Sequence, residues 1–193
     1  MPTPQHADRF APFPFPTPAF VYQEDRLLES LRRLEPLRAN PKCRVLYSIK
    51  SCSLPDVLEF LSTRVDGFSA SSLFEARLAR EILDRNGAGK RGVHLTCPAF
   101  PEREAAELGR YVDHINFNSL EQWLRDRARK HERPIRCGLR VNPKLSFVKD
   151  ERYNPCRRYS KLGIPIEQLV DAIETRPDTL DGISGIHVHT NCE

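Results

Sequence analysis

Long apolar runs are what this sequence of 193 residues most plainly lacks. None reaches the length that crosses a membrane. The opening stretch MPTPQHADRFAPFPFPTPAF holds no apolar core of signal-peptide length, so a cytoplasmic location is expected. Paired cysteines are absent too: Cys43, Cys52, Cys97, Cys137, Cys156 and Cys192 are scattered with no Cys-x-x-Cys spacing. Several fall inside apolar, strand-like stretches, and they read as reduced thiols, mostly core filler. A focused basic stripe is missing as well. The net charge is only +4, and the basic residues alternate with acids in EDRLLESLRRLE and DRARKHER, as on solvated helix faces. Neither a nucleic-acid partner nor a membrane is expected.

What is present describes a globular protein. The hydrophobic set makes up 39% and charged residues 29%, enough to bury a real core in a chain of one-domain size. Residues 1–18, rich in Pro and Phe, read as an extended arm, and residues 19–193 as the folded part. Leucines at 27, 28, 31, 34 and 37 share one helical face over 24–38, with Pro36 able to kink or end it. CRVLYSIK reads as a buried strand closed by Lys50. Helix and strand signals then alternate. Helices are expected over 54–61, 72–85, 101–109, 119–132 and 166–175, and strands over 65–70, 92–97, 114–118, 135–142 and 183–189. The stretch 143–165 reads as irregular. Six strands at about one unit per ~30 residues mark βα units and a parallel sheet. No glycine follows the first strand, which disfavours a doubly wound dinucleotide fold. A β/α barrel needs no such turn and gathers its reactive side chains at the C-terminal strand ends. Lys50, Ser69, Thr96, Asn116, Asn118, Arg140, His187 and His189 all fall at such ends.

Lys50 is the only charged residue in VLYSIKSCS. It either snorkels to water or acts as a Schiff-base amine, which needs a partly desolvated site. His187 and His189, at i and i+2 on a strand, face one side. They could join Cys192 and Glu193 in a metal site, line a barrel interior, or stack on a planar cofactor; the last is preferred and no metal is expected. Arg140, a lone charge in CGLRVNP, is a buried ion-pair partner or an anion site. Glu75, three residues after Ser72, reads as half of a capping box.

Taken together, PTPAFVY, YSIKSCSLPDVLEFL, VDGFSASSLFEARLA, LRVNP, YSKLG and GIHVHTNCE occur in an order that resembles the pyridoxal-phosphate decarboxylases. That family includes the ornithine, arginine and diaminopimelate enzymes, with an alanine-racemase-like barrel. Within it the chain is most similar to the carboxynorspermidine (carboxyspermidine) decarboxylases, through LRVNPKLSF, the YNPC segment and HVHTNCE. The resemblance implies an α/β fold: a pyridoxal 5'-phosphate-binding (β/α)8 barrel, here incomplete. It implies that Lys50 carries the cofactor and that His189 stacks on its ring. Arg140, Ser72, Glu75 and Cys192 are implied to be cofactor-binding, and Ser160, Gly163 and Glu193 substrate-binding. The implied reaction is decarboxylation of a polyamine precursor by an enzyme that is a homodimer at full length. Diaminopimelate- or ornithine-type decarboxylation and a non-catalytic barrel remnant are the alternatives. Ser48, Ser69 and Asn191 depart from the family pattern. The last two barrel strands, the phosphate-binding loop and the C-terminal β domain are not found, so the chain is expected to be a truncated part, inactive alone.

Overall fold

A computed structural model describes residues 16–191. The chain divides into two compact units, one ending at Glu35 and the other beginning at Pro36. In the first lies helix α1 (Glu24–Arg32). The single helix expected over 24–38 is interrupted: α2 spans Glu35–Arg38, and the amide of Leu34 bonds to the carbonyl of Leu31 at 2.9 Å. Pro36 lies in the first turn of α2, where its missing N–H costs nothing, so the break falls just ahead of it.

The second unit is built on one sheet of seven strands, all paired in parallel. They are β1 (Leu46–Ser48), β2 (Gly67–Ala70), β3 (Gly92–Thr96), β4 (His114–Phe117), β5 (Arg136–Asn142), β6 (Ile164–Pro165) and β7 (Ile183–Val188). Between them run α3 (Pro55–Ser62), α4 (Leu73–Arg85), α5 (Glu102–Leu108), α6 (Leu120–Asp126) and α7 (Ile166–Thr175). Strands β1 to β5 are neighbours in chain order, and β7 pairs with β5. Val141 is paired with both Ile164 and Val188, so β6 and β7 flank β5 on opposite sides. This is the strand-helix alternation of a β/α barrel.

The period of two along each strand separates two faces. Phe68, Ala70, Val93, Leu95, Ile115, Phe117, Leu139 and Val141 are buried on the face that the helices cover. They meet Leu58, Ala76, Ala79, Leu83, Leu108, Trp123 and Ala172, which are also buried. The opposite face is polar. Register places Ser48 beside Ser69, Ser69 beside His94, and His94 beside His114. A second row runs Thr96, Asn116, Gly138, Gly185, and a third pairs Arg140 with His187.

Two aspartates tie neighbouring strands together. Asp66 donates its amide to the carbonyl of Val45 at 2.9 Å and accepts the Val45 amide on Oδ2 at 2.8 Å. Asp113 does the same with Val93, at 2.9 and 2.8 Å. In both, a buried valine (Val65, Val112) precedes the aspartate, so a Val-Asp pair marks where a strand begins. Asp113 also holds Arg133 and the buried Arg80.

Four further expectations are corrected. The first strand ends at Ser48, and Lys50 lies in a 3-10 turn, Ile49–Ser51; the chain bends once Ile49 is buried, with Ser51 Oγ bonding to the Ser48 carbonyl at 2.7 Å. The helix expected over 119–132 stops at Asp126, whose carboxylate takes Arg129 Nε and His131 Nε2, both at 3.1 Å, and folds the chain back. The irregular stretch 143–165 ends in the short strand β6. Among the described cysteines only Cys156 is buried; Cys43, Cys52, Cys97 and Cys137 are half-buried free thiols, because they sit at or beyond strand ends rather than in the middle of the helix-covered face.

Candidate active site

The C-terminal ends of the strands collect the polar side chains. Arg140, 8% exposed, lies on β5 opposite His187 of β7, and His189 follows just beyond that strand. The rings of His187 and His189 stand nearly parallel, 19° apart with centroids at 6.3 Å, as the i, i+2 spacing predicts. Burial pushes the His187 imidazole down to about 4, helped by the charges of Arg140 and Lys50. Burial, then Arg140, then Lys50 also hold His189 below its ordinary range. Both rings are therefore neutral at neutral pH, and the positive charge of the mouth resides on Lys50 and Arg140. Lys50, Arg140, His187 and His189 thus form one interacting group. The partly desolvated site expected for Lys50 is not what the structure shows. Lys50 is exposed, since the turn that carries it projects beyond the buried Ile49.

Ser72 and Glu75 shape the turn after β2. Ser72 caps α4, its Oγ accepting the Glu75 amide at 3.2 Å. The return bond lands one residue earlier than a capping box requires: Glu75 Oε2 accepts the Ser71 amide at 2.6 Å and the Ser71 hydroxyl at 2.9 Å. The turn after β4 repeats the arrangement. Ser119 Oγ accepts the Gln122 amide at 3.1 Å, and Gln122 Oε1 accepts the Asn118 amide at 2.8 Å.

Ser160 and Gly163 lie at the end of the loop from β5 to β6. The Ser160 hydroxyl donates to the Pro155 carbonyl at 2.6 Å and accepts the Leu162 amide at 3.1 Å. Gly163, at φ +86°, would bring a Cβ to 3.0 Å from the Arg140 carbonyl and the Asn142 amide. Only glycine allows that approach at that backbone angle. Its amide donates to Asn118 Oδ1 at 2.8 Å, and Asn118 Nδ2 donates to the Lys161 carbonyl at 2.8 Å. Cys192 and Glu193 lie outside the described residues. Among the described residues no group of three His, Cys, Asp or Glu side chains is placed to hold a metal ion.

Deeper in the sheet, Thr96 and Asn116, expected at strand ends, join two histidines that the sequence reading does not name. His94 and His114 stack with centroids at 5.0 Å. His114 Nε2 meets Asn116 Oδ1 at 2.9 Å, and Asn116 Nδ2 donates to Thr96 Oγ1 at 2.9 Å. Burial, with His114 and Arg136 nearby, pushes His94 down to about 4, and burial lowers His114 as well. The signal was available: His94 and Thr96, like His114 and Asn116, are polar at spacing two in otherwise apolar strands.

No family model matches the chain. It is 31% identical over 177 residues to a carboxynorspermidine/carboxyspermidine decarboxylase of Campylobacter jejuni, covering 92% of this chain and 43% of that protein. It is 33% identical over 178 residues to a carboxyaminopropylagmatine decarboxylase of Synechocystis, again over 92% of this chain and 43% of the other. Its fold matches the crystal structure of the Campylobacter jejuni carboxynorspermidine decarboxylase complexed with norspermidine. The TM-score is 0.72 at 28% identity, over 92% of this chain and 42% of that one. The chain thus spans less than half the length of the relatives it matches.

Proposed function

We infer that this chain, similar along nearly all its length to part of the carboxynorspermidine/carboxyspermidine decarboxylases, is the lysine-bearing barrel part of a pyridoxal 5'-phosphate-dependent carboxy-lyase. Its proposed substrates are carboxynorspermidine and carboxyspermidine, in polyamine synthesis. The grouping of Lys50, Arg140, His187 and His189 at one end of the sheet carries the reading. A primary amine, a flat neutral imidazole and a buried guanidinium suit a planar, anionic aldehyde. When bound, pyridoxal 5'-phosphate supplies the electron sink for the pair left on carbon as carbon dioxide departs.

The residues of this chain divide the remaining work. Lys50 Nζ would hold the cofactor covalently, and its exposure leaves the amine open to incoming substrate. His189 would lie against the cofactor ring, its neutrality keeping the ring face free of opposing charge. Arg140, fixed by burial on β5, would supply positive charge to the anionic groups brought into the mouth. Ser72 and Glu75 would hold the edge of the site through the turn that they build. Ser160 and Gly163 would shape the loop on the substrate side. The whole enzyme is read as a cytoplasmic homodimer. The identity of 33% to the carboxyaminopropylagmatine enzyme supports a second reading, in which the substrate ends in a guanidinium rather than an amine.

The test is covalent trapping. Incubation with pyridoxal 5'-phosphate and reduction with borohydride should leave a pyridoxyl group on the peptide that contains Lys50, and none there in Lys50→Ala. Labelling spread over other lysines, with Lys50 unmarked, rejects the assignment. Carbon dioxide release by the protein carrying this sequence then ranks the three substrates. Release from diaminopimelate or ornithine alone would displace the polyamine reading.

A further inference from the structure

The loop between β5 and β6 touches the segment that carries His189 at three successive positions. Ser146 Oγ donates to the Thr190 carbonyl at 2.6 Å. The Phe147 amide donates to Asn191 Oδ1 at 3.2 Å. Cys156 Sγ lies 3.6 Å from the His189 carbonyl. The loop is itself braced. Buried Asn142 accepts the Lys144 amide at 2.9 Å, where Lys144 takes a left-handed backbone at φ 57°. Ser146 Oγ also accepts the Val148 amide at 3.2 Å. Asn154 Oδ1 accepts the Cys156 amide at 2.8 Å, and Ser160 ties Pro155 to Leu162. At the far end Asn118 grips Lys161 and Gly163.

We propose that the loop 143–163 is a fixed bracket that positions His189, with Ser146 as the positioning residue that joins loop to strand. The geometry gives the reason. His189 follows the last residue of β7, just beyond the Val141–Val188 pair that ends the register with β5. The Thr190 carbonyl, one residue on, is held by a hydroxyl from 44 positions away in the chain. That hydroxyl is used in both directions, as donor to Thr190 and acceptor from Val148. Ser146→Ala therefore loses the link and loosens the loop end with it. The bracket also rests on β4 through Asn118, so the position of His189 is referred to a strand two places away in the sheet. The proposal concerns the ring that the function above assigns to cofactor stacking, and its value for catalysis rests on that reading.

The decisive measurement is made without cofactor. In the native chain the His189 imidazole, followed by NMR, should titrate below the ordinary range. In Ser146→Ala the segment relaxes toward water, and His189 moves up toward 6.5 while His187, held within β7, stays put. Ser146→Thr keeps the hydroxyl and restores the native value. If Ser146→Ala does not fold, Asn191→Ala at an exposed position removes the neighbouring contact and should shift His189 in the same direction. An unmoved His189 in a folded variant overturns the bracket.

A second arm uses the cofactor. The pyridoxal 5'-phosphate concentration for half-maximal trapping on Lys50 should rise roughly three- to ten-fold in Ser146→Ala, the loss of one hydrogen bond. In a His189→Ala background Ser146→Ala should add nothing. A further loss there means that Ser146 acts on the fold and not through His189, which also overturns the proposal. A native chain that traps no cofactor sinks the functional reading, while the titration still decides the bracket.

Discussion

Gly138 shows how closely the polar face of the sheet is packed at the scale of a single residue. A Cβ at that position would lie 2.5 Å from Asn116 Oδ1, 3.0 Å from His114 Nε2 and 3.1 Å from the Gly185 carbonyl. Gly138→Ala should therefore push Asn116 off Thr96 and cost about 1–3 kcal/mol, read as a lower urea midpoint. A wild-type midpoint would show that the His114–Asn116 pair moves aside freely. The same scale separates what residues announced from what they hid. Lys50, Arg140 and His189 were legible because each is an odd polar group in an apolar strand setting. Ser146 and Asn118 were not legible as anchors: a serine or asparagine in a loop has many local uses, and its true partners lie 44 or 45 positions away.

At the scale of the element, the Val-Asp pair that opens β2 and β4 is the repeated device. Asp113 accepts the Val93 amide and holds Arg133 along with Arg80, whose side chain is 5% exposed. Asp113→Ala would leave the buried Arg80 with Asp84 at 3.8 Å as its remaining carboxylate and free the lower end of β3, so a loss of roughly 3 kcal/mol is expected. Asp113→Asn, which keeps an acceptor for the Val93 amide, should lose less. Equal losses from the two variants would mean that the charge on Arg80 sets the cost and the strand tie adds little. Helix and strand positions were readable from periodicity because burial under the helices demands it. Their ends were less readable. Asp126 shortens α6 by drawing back Arg129 and His131, a choice made by side chains beyond the helix itself.

For the whole molecule, the histidines of the polar face make stability depend on acidity. His94 and His187 sit near 4 in the fold against 6.5 ordinarily. A lowered imidazole means that the unfolded chain binds protons first as pH falls. Stability should thus be level above 6.5 and decline as pH drops from 6.5 toward 4. Urea titrations across that window test the sign, and His94→Gln should flatten the slope. A midpoint that rises on acidification would contradict the neutral state assigned to both rings. Arg44 and Arg136 oppose protonation of His94 while Asp113 favours it, and Arg140 and Lys50 oppose protonation of His187.

By itself the sequence determined the strand-helix alternation, the apolar face and the candidate lysine, arginine and histidines. Those features rest on period and local composition, which burial imposes on any chain that folds this way. The tertiary structure alone decided that Lys50 sits in an exposed turn beyond its strand, that Glu75 reaches Ser71, and that a long loop grips the segment carrying His189. Such outcomes depend on register and on where a loop returns, and no nearby residue pattern encodes a hydrogen bond between groups so far apart in the chain.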